Sequence, residues 1–202
     1  RINRAEGCAI GSRINNWKPT VKNDPAQSGY ISYGNKYYPV LPNVPACPYN
    51  TNLLVLDGSR MYYNDPGYTT AFGIDVSSHQ KEIDWQKVAA SGVEFAIIRL
   101  GYRGYGSEGT VNLDPYFKQN LAGAKAAGLK VGVYFFSQAI TTQEAAEEAQ
   151  FVLTNLAGAQ LDYPVVYDWE PISGVGARTD GLDSVTLTDC AITFCETVSR
   201  AG

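Results

Sequence analysis

The chain contains no apolar run of the roughly 18 residues that a membrane-spanning helix needs. It has a single histidine, His79, which cannot alone supply a typical zinc site, and no G-x-S-x-G turn to present a nucleophilic serine beside it. Positive charge is scarce: 16 Lys and Arg against 20 Asp and Glu leave a net charge of −4, which argues against a nucleic-acid partner. The balance is uneven, with seven basic and four acidic side chains in residues 1–70 but nine and sixteen in residues 71–202. No signal peptide is visible, because the chain opens at Arg1 and continues with polar residues, so it reads as a processed or trimmed piece. What remains is a globular protein of 202 residues, long enough for one large or two small domains. Nothing in it calls for a cofactor, a metal, a membrane or a nucleic acid.

The four cysteines are not spaced as metal ligands. Cys190 and Cys195 lie in "TLTDCAITFCETVSR", where Leu187, Ala191, Phe194 and Val198 recur at helical spacing. Positions five apart on a helix point about 140° apart, too divergent for a disulfide, so both read as small buried hydrophobes. Cys8 and Cys47 could pair, and such a bridge would favour an extracytoplasmic location.

Two regions differ in texture. Residues 1–70 are rich in Pro, Asn, Gly and Tyr without a sustained period. Two short hairpins are expected there, one turning at Gly34-Asn35 and one at Asp57-Gly58. The tyrosines at 30, 33, 37, 38, 62 and 63 read as a small core or docking face, with a sugar-binding surface as the other reading. From residue 71 the pattern becomes βα repeated four times. Strands are expected at 72–78, 94–102, 130–138 and 163–170, and helices at 84–92, 114–128, 141–158 and about 186–200. Thr141 and Glu144 are spaced as a capping box, and Pro115 sits at a helix start. The strands are near-continuously apolar, as in a parallel sheet covered by helices. Both a doubly wound sheet and a (β/α) barrel fit. A closed barrel takes about 200–250 residues, and only about 130 follow residue 70.

The stretch "YPVVYDWEP" at 163–171 ends an apolar strand in two acids. Ligand-binding groups of parallel α/β folds collect at the C-terminal strand ends. Here those ends carry Asp75, Arg99, Tyr134 with Ser137 and Gln138, and Asp168 with Glu170. Alternation turns Asp168 and Glu170 to the same side, about 7 Å apart along the backbone. Carboxylates so placed in a low-dielectric site cannot ionise independently: one keeps a proton and the other stays charged. Cleavage of a glycosidic bond needs that division of labour. A single strand-end acid would more simply cap a helix or bind a lysine; three at matching depth, Asp75, Asp168 and Glu170, point to catalysis.

The segments "GIDVSSHQKEIDW", "FAIIRLGYRG", "VGVYFFSQA" and "PVVYDWEP" together resemble glycoside hydrolase family 25, the lysozymes or N-acetylmuramidases of bacteria, phages and some fungi. The resemblance runs from about residue 72 to the end. It implies a barrel of the glycosidase type, here with about four βα units after an irregular N-terminal region. It also implies a secreted or cell-wall enzyme that cleaves the β-1,4 bond between N-acetylmuramic acid and N-acetylglucosamine in peptidoglycan. Glu170 falls on the family's general acid/base, Asp168 on its partner acid and Asp75 on the first-strand acid. Tyr134 falls on a substrate-contact position, with Arg99, Ser137 and Gln138 beside it at the strand ends. Retention, with the substrate's acetamido group as nucleophile, is implied as well.

The family's later strands and its further C-terminal acid have no counterpart in this sequence. Four strands alone would leave long apolar edges, so the chain is expected to be a fragment, with a second polypeptide piece as the partner that completes the barrel. The rival from another class is a catalytically inactive cell-wall carbohydrate-binding fragment. A chitinase-like hydrolase is disfavoured, since its strand-four signature has more acids before the last Glu than Pro164 to Tyr167 provide. Gly104, Gly106 and Gly109 match G-x-G-x-x-G, but "TVNLDP" follows where a dinucleotide site needs a helix, so the loop reads as a wall of the sugar cleft. His79 reads as a strand-end hydrogen-bonding residue beside Gln80.

Overall fold

In the computed structural model, residues 30–33, 36–39, 49–58, 60–172, 174 and 176–202 are described. The expected Cys8–Cys47 pair, the Gly34-Asn35 turn and the side chains of Tyr30, Tyr33, Tyr37 and Tyr38 lie outside them. The described residues divide into two units, one within residues 13–70 and the other comprising residues 71–202.

The first unit holds two antiparallel hairpins. Strands β1 (Tyr30–Tyr33) and β2 (Lys36–Pro39) pair with Tyr33 opposite Lys36. Strands β3 (Leu54–Asp57) and β4 (Arg60–Tyr63) pair with Asp57 opposite Arg60. Asp57 is thus still paired as the last residue of β3, and the chain turns after it at Gly58, which takes a positive φ of +60°. Tyr49, Tyr63 and Tyr68 pack edge to face with centroids 5.2–5.7 Å apart. Leu54, Val55, Leu56, Met61 and Tyr62 are exposed.

The second unit is a mostly parallel sheet with helices packed on it. Its strands are β5 (Gly73–Val76), β6 (Phe95–Arg103), β7 (Val111–Leu113), β8 (Lys130–Ser137) and β9 (Val165–Trp169). Its helices are α1 (Trp85–Ala90), α2 (Phe117–Ala126), α3 (Thr142–Leu156) and α4 (Ser184–Arg200). The parallel order β5-β6-β8-β9 follows the chain, so every crossover steps the same way. A doubly wound sheet reverses its order; this one is an arc of barrel wall, and it is open.

Alternation sorts the side chains. Ala96, Ile98, Leu100, Val131, Val133 and Phe135 are fully buried in the core on the helix-covered side. Phe194, Cys190 and Cys195 of α4 join that core. The opposite side carries Ile97, Arg99, Tyr134, Phe136, Val166 and Asp168.

Two departures from expectation have local causes. The segment read as loop before the second helix contains β7, three residues antiparallel to β6. It pairs with β6 at Gly101–Arg103, beyond the point where β5 has ended, so tertiary pairing rather than local pattern makes the strand. Its approach needs a glycine at 101, where a Cβ would lie 2.5 Å from the Asn112 carbonyl oxygen. A register shift follows Arg99: it faces Tyr134, but Gly101 faces Phe135, which leaves Leu100 as a bulged extra residue. The second helix starts at Phe117, after Pro115, because Asp114 turns into the sheet end instead of capping it. At α3, the Thr141 hydroxyl accepts from Glu144 N–H at 3.2 Å, but the Glu144 carboxylate takes the N–H of Ile140 at 2.9 Å, one residue before a capping box would place it.

Candidate active site

The side of the sheet away from the main core forms a cleft of about 850 Å³. The strand register builds it. Asp75 lies opposite Ile97, Arg99 opposite Tyr134, and Phe136 opposite Asp168, so their side chains project from adjacent strands. Glu170, two residues beyond Asp168, projects to the same side. The volume is within the range of small-ligand sites, and Tyr102, Tyr105, Tyr134 and Phe136 give it aromatic walls suited to a sugar.

The electrostatics follow from burial and crowding. Burial, then Glu170, then Asp75 push the Asp168 carboxyl up to about 6, while Arg99 opposes them. Arg99 cannot neutralise the acids fully because it is already engaged. Its Nε donates to Asp114 at 2.8 Å, its Nη2 donates to Ser78 at 2.9 Å, and its guanidinium lies 5.0 Å from the Tyr102 ring centroid. Asp114 also accepts the N–H of Ser78 at 2.9 Å and that of Tyr116 at 2.8 Å, tying the β5 end to the start of α2. Burial pushes the Tyr134 hydroxyl up to about 12; Arg99 lowers it, and Asp75 and Asp168 raise it. Tyr134 therefore stays protonated and can donate. Among the described residues, none of the three acids makes a salt bridge, and no group of three His, Cys, Asp or Glu side chains is arranged to hold a metal ion.

Asp75, Arg99, Tyr134, Asp168 and Glu170 are thus brought together. Ser137 and Gln138, read as substrate-binding, are not on the cleft. Both are fully buried. Ser137 turns to the helices by strand alternation, donating to Glu148 at 2.6 Å and bonding the Tyr167 hydroxyl at 3.0 Å. Gln138 lies past the end of β8, where its side chain donates to the Glu170 carbonyl at 3.0 Å. His79, read as a hydrogen-bonding residue, has its side chain on the cleft. Gln80 instead reaches back to accept the Ser77 N–H at 2.8 Å.

A second charged cluster escaped the sequence reading. Arg103 Nε donates to the fully buried Glu148 at 2.7 Å, and Arg178 meets Glu144 at 2.7 and 3.0 Å. Desolvation raises the Glu148 carboxyl, while Ser137 and Arg103 pull it down. The glycine-rich loop is fastened to this cluster: the Gly109 carbonyl accepts from Arg103 at 2.8 Å, and Tyr105 O accepts the Arg178 N–H at 2.9 Å. Gly109 has φ +55°, and the Arg178 guanidinium occupies the place of its missing side chain. One signal was available: Glu144 and Glu148 are four apart on α3 and so share a helix face.

Comparison with known proteins agrees with this architecture. The profile of glycosyl hydrolases family 25 matches residues 74–202. The uncharacterized protein YegX of Escherichia coli K12 is 34% identical over 119 residues, covering 56% of this chain and 40% of that protein. The autolytic lysozyme of Clostridium acetobutylicum is 33% identical over 102 residues, covering 50% of this chain and 29% of that protein. Of solved structures, the bacterial lysozyme from Streptomyces coelicolor superposes with a TM-score of 0.51 at 26% identity, covering 66% of this chain and 59% of that one. The chain therefore spans well under half the length of these two curated relatives.

Proposed function

This chain belongs to glycosyl hydrolases family 25, and from that premise we propose that it is the acid-bearing part of a peptidoglycan hydrolase. In this reading it is a lysozyme acting outside the cytoplasm on glycan strands, at the β-1,4 bond between N-acetylmuramic acid and N-acetylglucosamine. The observation that carries the proposal is the meeting of Asp75, Asp168 and Glu170 around one aromatic-walled cleft. Burial first, and then the nearby Glu170 and Asp75, raise the Asp168 carboxyl to about 6. Glu170 gives a proton to the leaving glycosidic oxygen as the substrate's acetamido oxygen attacks the anomeric carbon. Ionised Asp168 orients the acetamido N–H and stabilises the cyclic cation. Water, deprotonated by Glu170, then opens that intermediate with net retention. Asp75 adds negative potential, and Tyr134 and Arg99 contact the sugars.

Analysis of digested peptidoglycan tests the reading. New N-acetylmuramic acid reducing ends are expected; new N-acetylglucosamine reducing ends contradict it. One observation favours the second reading, a carbohydrate-binding fragment without turnover: the arc of strands is open, and β9 has no partner on its outer edge among the described residues. A wild-type chain that binds cell walls and releases no new reducing ends would establish that alternative.

A further inference from the structure

Glu170 is the first residue beyond the β8–β9 ladder, whose last pairing sets Ser137 opposite Trp169. A residue just past a ladder has lost the backbone hydrogen bonds that fix its neighbours. Glu170 has a substitute. Its carbonyl oxygen accepts from Gln138 Nε2 at 3.0 Å, so the glutamine side chain extends the strand pairing by one step. Gln138 is 0% exposed and held from two further points. Its Oε1 accepts the Thr179 hydroxyl at 2.8 Å, and its carbonyl accepts from Arg178 Nη1 at 3.2 Å. Chemistry fixes the direction of the amide. A carbonyl only accepts, so the NH₂ must face Glu170, and the hydroxyl, able to donate or accept, takes the remaining oxygen. Arg178 is itself clamped by Glu144 of α3 at 2.7 and 3.0 Å.

Resting on the reading of Glu170 as the catalytic acid, we propose that Gln138 is a positioning residue that sets the main chain of Glu170, and that Thr179 orients Gln138 for that task. Gln138 touches no substrate. A carboxylic acid displaced by about 1 Å can lose up to about 10²-fold in rate, so the position of this one backbone unit bears directly on turnover.

The test compares Gln138→Leu, Thr179→Val, Thr179→Ser and Glu170→Gln in the full chain with peptidoglycan as substrate. Gln138→Leu is expected to lower kcat about tenfold or more while KM stays within about twofold. Thr179→Val should show a smaller loss of the same kind, and Thr179→Ser, which keeps the hydroxyl, should restore turnover. The ¹³C resonance of the Glu170 carbonyl should move in Gln138→Leu and Thr179→Val and return in Thr179→Ser. Thr179→Val carries the test if Gln138→Leu does not fold. Loss of lysis in Glu170→Gln with full kcat and an unmoved Glu170 resonance in both Gln138→Leu and Thr179→Val overturns the positioning role alone. Wild-type lysis in Glu170→Gln overturns the assignment of the acid and this proposal with it.

Discussion

The sheet has charged groups on both of its sides, and the two sets differ in how they are paired. On the cleft side three carboxylates share the lining with Arg99, which Asp114 has already taken. On the helix side Arg103 and Arg178 meet Glu144, Glu147 and Glu148 in hydrogen-bonded ion pairs. In the cleft, burial first and then repulsion from Glu170 and Asp75 drive Asp168 up to about 6. The helix-side acids are paired: Glu144 is pulled below its usual range by Arg178 and the Ile140 N–H despite some burial, while burial still raises the fully buried Glu148 against the pull of Ser137 and Arg103. Acids left with no cation of their own crowd one another in the cleft, whereas acids given partners hold segments together. Being ionisable and half buried does not by itself mark a site; the count of unmatched charges does.

Four experiments sharpen or break that contrast. Glu170→Gln removes a proton donor from the unmatched set and should cut turnover by about 10³-fold, read as release of reducing ends, while thermal stability and cell-wall binding persist. Glu148→Gln removes a carboxylate from the matched set and should do the reverse. It leaves Arg103 underpaired inside the protein at a cost of about 3 kcal/mol, measured by urea unfolding. Replacing both, Arg103→Met with Glu148→Leu, should recover most of that loss. If Glu148→Gln is neutral, the cluster is not the fastening described.

The third experiment is a pH profile. A reaction that needs Asp168 ionised loses rate as pH falls through about 6. Asp75→Asn takes away one of the two carboxylates that raise Asp168, so the acid limb of kcat/KM should move to lower pH. An unmoved limb would separate Asp75 from the site. The smallest effect is on stability. A raised carboxyl means that the folded state binds the proton more tightly than the unfolded chain, so Asp168 costs stability as pH rises from its ordinary value through about 6. Asp168→Asn should raise the melting temperature by about 2–4 °C at pH 7, as expected of roughly 1 kcal/mol in a protein of this size, with partial exposure of the group moderating the gain. At pH 4 it should change little.

Much of this was legible in the residues. Apolar runs of strand length between helix-period segments gave the four βα units, and strand alternation put Asp168 and Glu170 on one side. β7 was not legible, because three residues carry no period and become a strand only through the edge of β6. Ser137 was misread for lack of parity: Tyr134 and Phe136 face the cleft, so 137 faces the helices. Gln138 shares their parity, but the strand ends before it and the chain turns. The Arg103–Glu148 pair joins positions 45 apart, and no local pattern in a single sequence announces such a bond.

The extra residue at Leu100 divides the two arginines of β6 between these sets. Arg99 and Arg103 are four apart, and in an unbroken strand they would point the same way. The insertion reverses the alternation between them, sending Arg99 toward the acids of the cleft and Arg103 toward Glu148. Deleting that one residue would crowd two guanidinium groups onto the cleft and strand Glu148 among hydrocarbon, so a single-residue offset decides which face gathers unmatched acids and which is tied together.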